Sequence, residues 1–281
     1  MAISVLKRRV NIKYFMVAYL GAFLVYSSFA LGHPERLRGS IFIIALYSFF
    51  DLLWTYLRER VWYLPTSSWI SGLILSLVAI PAPSFFLIFL LPFLAVASKH
   101  LLYFGKTRHI FNPAAFAMGA LAFFTPTISW WGASWGNTPL IIIAAAAIFI
   151  LWRQDRLSVA VPFLISYAIF LAAFFLWNGL PFTELFMNLR PLIIDGAIIF
   201  FATVILIEPV TSSFPTGGAR IFYGALVGFF SVVLSYVGQI SVMREWPIMI
   251  GDPLIYGLLL GNLLCSLLFL KSKPKLVSNN P

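Results

Sequence analysis

Ser71–Phe86 reads SGLILSLVAIPAPSFF, and Asp195–Phe214 reads DGAIIFFATVILIEPVTSSF. Both stretches open with a polar residue and a glycine. Both then run through an apolar stretch to a proline break, with serine and phenylalanine following. They are the third and eighth of ten apolar segments, which cover about 14–31, 41–57, 67–80, 84–103, 113–127, 139–152, 158–177, 192–207, 221–238 and 252–270. A spacing of five is odd, so the two copies would enter a membrane from opposite sides. The pattern predicts an inverted repeat, with a site near the midplane where broken helices meet. The competing explanation is that any two apolar runs ending in proline look alike.

The composition supports a membrane setting. Of 281 residues, 61 % are hydrophobic and only 10 % are charged, with mean hydropathy +0.96. A soluble globular chain carries about 25 % charged residues. A cytosolic enzyme, a disordered tail and a nucleic-acid-binding domain are thereby excluded. The net charge of +10 comes from basic residues between apolar runs, which points to membrane topology rather than to a nucleic-acid partner. The single cysteine, Cys265, lies inside an apolar run and has no internal disulfide partner. No Cys/His cluster has zinc spacing.

A full helical span needs about 20 apolar residues. Segments three, five, six and eight fall short of that, as half-helices ending inside the membrane would. With the N-terminus placed in the cytoplasm and sides alternating, fifteen of the 19 Lys and Arg residues fall inside. Only Arg36, Arg38, Arg190 and Arg244 fall outside. One missed or extra span would scramble this bias. The expectation is therefore an all-α integral membrane protein of the cell inner (plasma) membrane, with ten transmembrane helices and both termini cytoplasmic. Residues 1–281 form a single polytopic domain, with repeat one over about 14–127 and repeat two over about 139–270. The first segment has a basic start and Ser28-Phe29-Ala30 as a cleavage-like pattern, but nine further spans follow it, so it reads as a retained helix.

Four places could carry chemistry. Asp51 sits inside segment two, about two turns before Arg58. An acid in an apolar span is either a functional group or a paired one. Lys99, His100, Lys106, Thr107, Arg108 and His109 cluster around the inner turn between segments four and five. That turn ends in Phe111-Asn112-Pro113, where Asn112 can cap a helix and Pro113 fits its first position. Such a start beside cations suits an anion, although an inner loop obeying the charge rule explains it as well. Glu208-Pro209-Val210-Thr211 and then Thr216-Gly217-Gly218-Ala219-Arg220 form either a phosphate-holding loop or a plain connection. Trp130, Trp131 and Trp135 lie in the outer loop, where an interfacial belt is expected and stacking on an aromatic cofactor or quinone ring is the alternative.

Four stretches together resemble one family, the NqrB/RnfD family: the membrane components that the sodium-pumping NADH:quinone reductase and the Rnf electron-transport complex have in common. They are Ser67–Leu75 ending at Pro81-Ala82-Pro83, Ser98-Lys99 through Asn112-Pro113-Ala114-Ala115, Trp135–Leu140, and Glu208–Thr211 through Gly218-Ala219-Arg220 and Tyr223-Gly224. The second, with its Phe-Asn-Pro-Ala core, is the most specific. The resemblance covers nearly the whole chain. It implies two inverted five-helix repeats in an architecture shared with urea and ammonium transporters. It also implies FMN esterified through its phosphate to a threonine, which here is Thr138, and a second flavin. Lys99, Arg108, Asn112, Thr211, Thr216 and Arg220 become cofactor-binding candidates, while Asp51 and Glu208 become ion-pathway candidates. The chain departs from the family at Trp135 and Asn137 within the flavin motif. Gly132 stands where relatives have an aspartate, Ser98 replaces a glycine, and Glu208 replaces an aspartate.

The implied function is a flavin-carrying subunit of an ion-translocating (Na+ or H+) electron-transport complex, not a complete enzyme alone. Its partners would be other membrane subunits of such a complex, the lipid bilayer and a quinone. The alternatives are a channel or transporter of the same fold without a redox role, and a cofactor-free scaffold.

Overall fold

Each of the ten apolar segments carries a helix in the computed structural model, which describes residues 11–80, 84–104, 108–243 and 251–269. The proline break Pro81-Ala82-Pro83, Gly105-Lys106-Thr107, Arg244 and the basic residues of both termini lie outside the described residues. In chain order the helices are α1 (Ile12–Ala30), α2 (Arg36–Glu59), α3 (Thr66–Val78) and α4 (Phe85–Leu101). A small hairpin of β1 (Tyr103–Phe104) and β2 (Arg108–His109) leads to α5 (Pro113–Ala122). Then come α6 (Asn137–Gln154), α7 (Leu157–Trp177), α8 (Phe182–Ile193) and α9 (Gly196–Phe200), which continues as a π-helical turn over Phe201–Ile205. Helices α10 (Gly217–Met243) and α11 (Pro253–Phe269) complete the order.

Helices α1, α2, α6, α7 and the first 23 residues of α10 are long and apolar enough to cross a membrane. The pair α8 and α9, bent by 58°, adds a sixth if it is one span. Helices α3, α4, α5 and α11 are shorter and apolar. In the five long helices only 22–33 % of the apolar window is buried inside the protein. Most of their apolar surface therefore faces outward, which water does not tolerate over such an area and lipid does. This is an all-α protein built to sit in a membrane with several passes.

The short helices occupy the centre. In α3, every residue from Gly72 to Val78 is buried, and so is every residue from Phe200 to Ile207. A helix that is apolar on all sides belongs inside such a bundle. Each of these two short helices ends with orphan carbonyls, and the chain covers them with its own donors. For α3 the donors come from the strand-like segment after α5. Ser129 N donates to Val78 O at 2.9 Å and Gly132 N to Leu77 O at 3.0 Å. The Trp131 indole donates to Ser76 O at 2.9 Å.

Three sequence expectations change here. Segment six, read as short, is the 18-residue α6, because Asn137, Thr138, Arg153 and Gln154 extend the apolar run with helix-compatible residues. Segment five is helical only to Ala122, and its remainder turns and leads into the bridge between Ile128 and Ala79 at the end of α3. Trp130 and Trp131 do not form an interfacial belt. Both are buried, with the Trp130 indole donating to Asp252 Oδ2 at 2.5 Å. Indole N–H groups find buried acceptors, and these two serve helix ends instead of headgroups. Helix α8, of which the apolar segments included only the last two residues, is strongly amphipathic and has no buried residue.

Candidate functional site

The end of the π-helical turn meets the approach to α5. Asn112 does two jobs there. Its Oδ1 accepts from Ala115 N at 3.1 Å, capping α5 as the sequence predicts, with Pro113 in the first turn. Its Nδ2 donates to Ile205 O at 3.1 Å, covering a carbonyl of the broken helix. Just upstream, His109 Nε2 lies 3.0 Å from Glu208 Oε1, and the Thr211 hydroxyl donates to Glu208 Oε2 at 2.6 Å. Arg108 donates to Thr211 O at 3.0 Å and also to Ser213 O. Arg156, from the turn between α6 and α7, donates to Pro209 O at 3.3 Å and to the Ser213 hydroxyl. Two guanidiniums thus grip the carbonyl-rich segment that follows a helix C-terminus, where positive charge is favoured. Burial lowers the pKa of both arginines, yet a guanidinium remains charged under such conditions.

Beside this cluster lies a cavity of about 170 Å³ between α1, α3, the end of α6 and the broken helix. Its polar lining includes Ser67, Ser71, Asn112, Gln154 and Glu208, with Lys13 at the edge. Glu208 is the one carboxylate among the lining residues.

A second cluster holds Asp51, which is fully buried. Lys99 Nζ donates to both of its oxygens, at 2.9 and 2.8 Å. His100 Nε2 stands 2.8 Å from Oδ1, and the Tyr63 and Ser68 hydroxyls each donate to Oδ2 at 2.5 Å. The Tyr63 hydroxyl titrates well above its ordinary value, first through desolvation and then through its bond to Asp51 and the charge there. Asp51 is therefore a paired acid that ties α2, α3 and α4 together.

The remaining candidates are dispersed. Thr216 caps α10 by accepting from Ala219 N at 3.1 Å. Arg220 pairs with Asp155 at 3.5 Å. Thr138 is exposed in the first turn of α6, and Gln154 at the other end of that helix lines the cavity. At 1.5 Å per residue the two ends are about 24 Å apart. No group of three metal-ligating residues occurs among the described residues; His100 and His109 each face a carboxylate instead.

Sequence reasoning missed Tyr63, Ser68 and Arg156, which only long-range packing brings to these clusters. It also missed Asp252, although a signal was present. Asp252-Pro253 opens α11 as Asn112-Pro113 opens α5, and Asp252 Oδ1 accepts from Leu254 N and Ile255 N.

Comparison with known proteins adds no family: no family model matches the chain, and no curated protein matches it.

Proposed function

We propose that this chain is the membrane-embedded, flavin-carrying subunit of an ion-translocating electron-transport complex of the Rnf and Na+-NADH:quinone reductase type. The observation that carries the reading is a convergence. Three of the four stretches that resemble the family, around Ser67–Ser71, Asn112 and Glu208–Val210, line one cavity although they are far apart in sequence. A volume of about 170 Å³ is below the roughly 300–1,000 Å³ of ordinary ligand pockets. It suits an ion with its water better than a second flavin. Glu208, Asn112 and Ser71 are then the inner mouth of an ion pathway, and the Asp51 cluster stands on the same side.

The architecture proposed is two inverted repeats of five segments, and the packing supports it. The first segment of each half packs on the third, the second on the third and fourth, and the fourth on the fifth. The Asn-Pro and Asp-Pro starts of α5 and α11 fall in corresponding places. Ten passes through the inner membrane, both termini in the cytoplasm and neighbouring membrane subunits as partners complete the proposal.

Thr138 fits a covalent FMN in two respects. Its hydroxyl is exposed to a modifying enzyme, and it stands in the first turn of an 18-residue helix, where a phosphate is favoured. When bound there, the flavin supplies one- and two-electron transfer. The chain's own part is to hold the phosphate at the start of α6. Denatured protein made with an active flavin transferase should fluoresce in a gel, and Thr138→Ala should abolish the band. A protein free of flavin under those conditions refutes the redox reading.

One observation favours a second reading, a transporter of the same fold without flavin. The residues around Thr138 depart from the flavin motif at Trp135 and Asn137, and Trp135 packs against Tyr26 at 5.9 Å between ring centroids. In that case the cavity and Glu208 keep their role while the gel stays dark.

A further inference from the structure

Helix α8 has an apolar face that the protein only half covers. Leu185, Leu189 and Ile193, at a spacing of four, are the partly covered residues of that face, and α8 packs against α7. Phe182 and Phe186, on the adjoining strip of the same face, are 80 % and 71 % exposed. Glu184, Asn188 and Pro191 occupy the opposite face, with Arg190 near the border beside Phe186. We propose that α8 lies flat in the lipid headgroup layer at the end of α7, with Phe182 and Phe186 inserted among the acyl chains.

Three features favour lipid over a protein partner. Helix α7, apolar enough to cross a membrane, ends just before α8 at Trp177, which is 86 % exposed. An aromatic residue there marks the headgroup level. Helix α8 is tied at both ends to buried or membrane-spanning elements, α7 before it and α9 after it, so it stays at the boundary. Arg190 is placed to reach lipid phosphates while Glu184 and Asn188 face water. The same polarity argues against reading α8 and α9 as one broken span, since Glu184, Asn188 and Arg190 would then enter hydrocarbon unburied.

This placement has a structural consequence. Helix α9 begins at Gly196, whose backbone touches the outer loop so closely that an added Cβ would lie 1.8 Å from Ala133 O. Helix α8 therefore anchors the start of the buried broken helix at the headgroup level.

The inference rests on the membrane setting and not on the flavin, so its test is independent of cofactor loading. Single cysteines at 182, 184, 186 and 188, in a Cys265→Ala background that still elutes as a monodisperse species, would carry nitroxide labels. The protein would sit in vesicles of phosphatidylethanolamine and phosphatidylglycerol. The ratio of collisions with oxygen to collisions with a water-soluble nickel chelate should be several-fold higher at 182 and 186 than at 184 and 188. Equal aqueous access at all four positions overturns the proposal. So does a steady deepening along the helix, the mark of a span, or shielding of 182 and 186 from both reagents, the mark of a protein contact.

Discussion

Asp51 illustrates what a single residue signals in an apolar helix. Its position alone identified it as costly, and the structure supplies four partners that offset the cost. Removing one member of a buried pair strands the other, which costs about 3–5 kcal/mol. Lys99 retains some exposure, so Asp51→Ala should lose about 3 kcal/mol, at the lower end of that range. Thermal unfolding in detergent would measure it. The double variant Asp51→Asn with Lys99→Met should recover most of the loss, because no unpaired charge remains. A double variant as unstable as Asp51→Ala would show that the pair is not the source. Thr138 is the opposite case. Its exposure leaves stability untouched, so any effect of Thr138→Ala belongs to the cofactor.

At the level of elements, small residues set the distance between α7 and α10. A Cβ at Gly224 would meet Val159 O at 2.2 Å, and one at Gly228 would meet Phe163 O at 2.7 Å. The four-residue spacing brings both to one face, as in membrane helix pairs that pack by backbone approach. Gly228→Val should destabilise by about 1–3 kcal/mol through overpacking. Gly21→Ala in α1, with open space around it, should be neutral or slightly stabilising. Equal effects of the two substitutions in a thermal-shift measurement would contradict the close packing. Apolar runs and caps made the helices legible in the sequence. The cap at Asn112 forms as its residue type predicts. Helix α8 escaped because its apolar residues are interrupted every few positions by Glu184, Asn188 and Arg190, so it never formed a continuous run.

For the molecule as a whole, the charge bias gives a topology that chemistry can check. Residues 60 and 137 are both exposed, and the third, fourth and fifth segments lie between them. Arg60→Cys and Asn137→Cys, with Cys265 replaced, should therefore label from opposite sides. A membrane-impermeant maleimide on intact cells should reach position 137 and should reach position 60 only after permeabilisation. Labelling of both from one side would remove the odd number of crossings on which the two-repeat proposal depends. A clean reversal would keep the crossings and invert the orientation.

The sequence by itself determined that this chain is helical, apolar and membrane-embedded. Those properties follow from composition and run length, and no packing partner can change them. It also marked the two ends of the broken helix between Gly196 and Pro209, because glycine and proline constrain the backbone locally. Only the tertiary structure decided what each polar residue faces. Trp130 and Trp131 turned inward to buried acceptors, Arg108 and Arg156 went to backbone carbonyls, and Asp51 found Lys99 across 48 positions of sequence. In a low-dielectric interior every donor and acceptor must be matched, and the partners that match them come from segments whose proximity is fixed by packing rather than by local sequence.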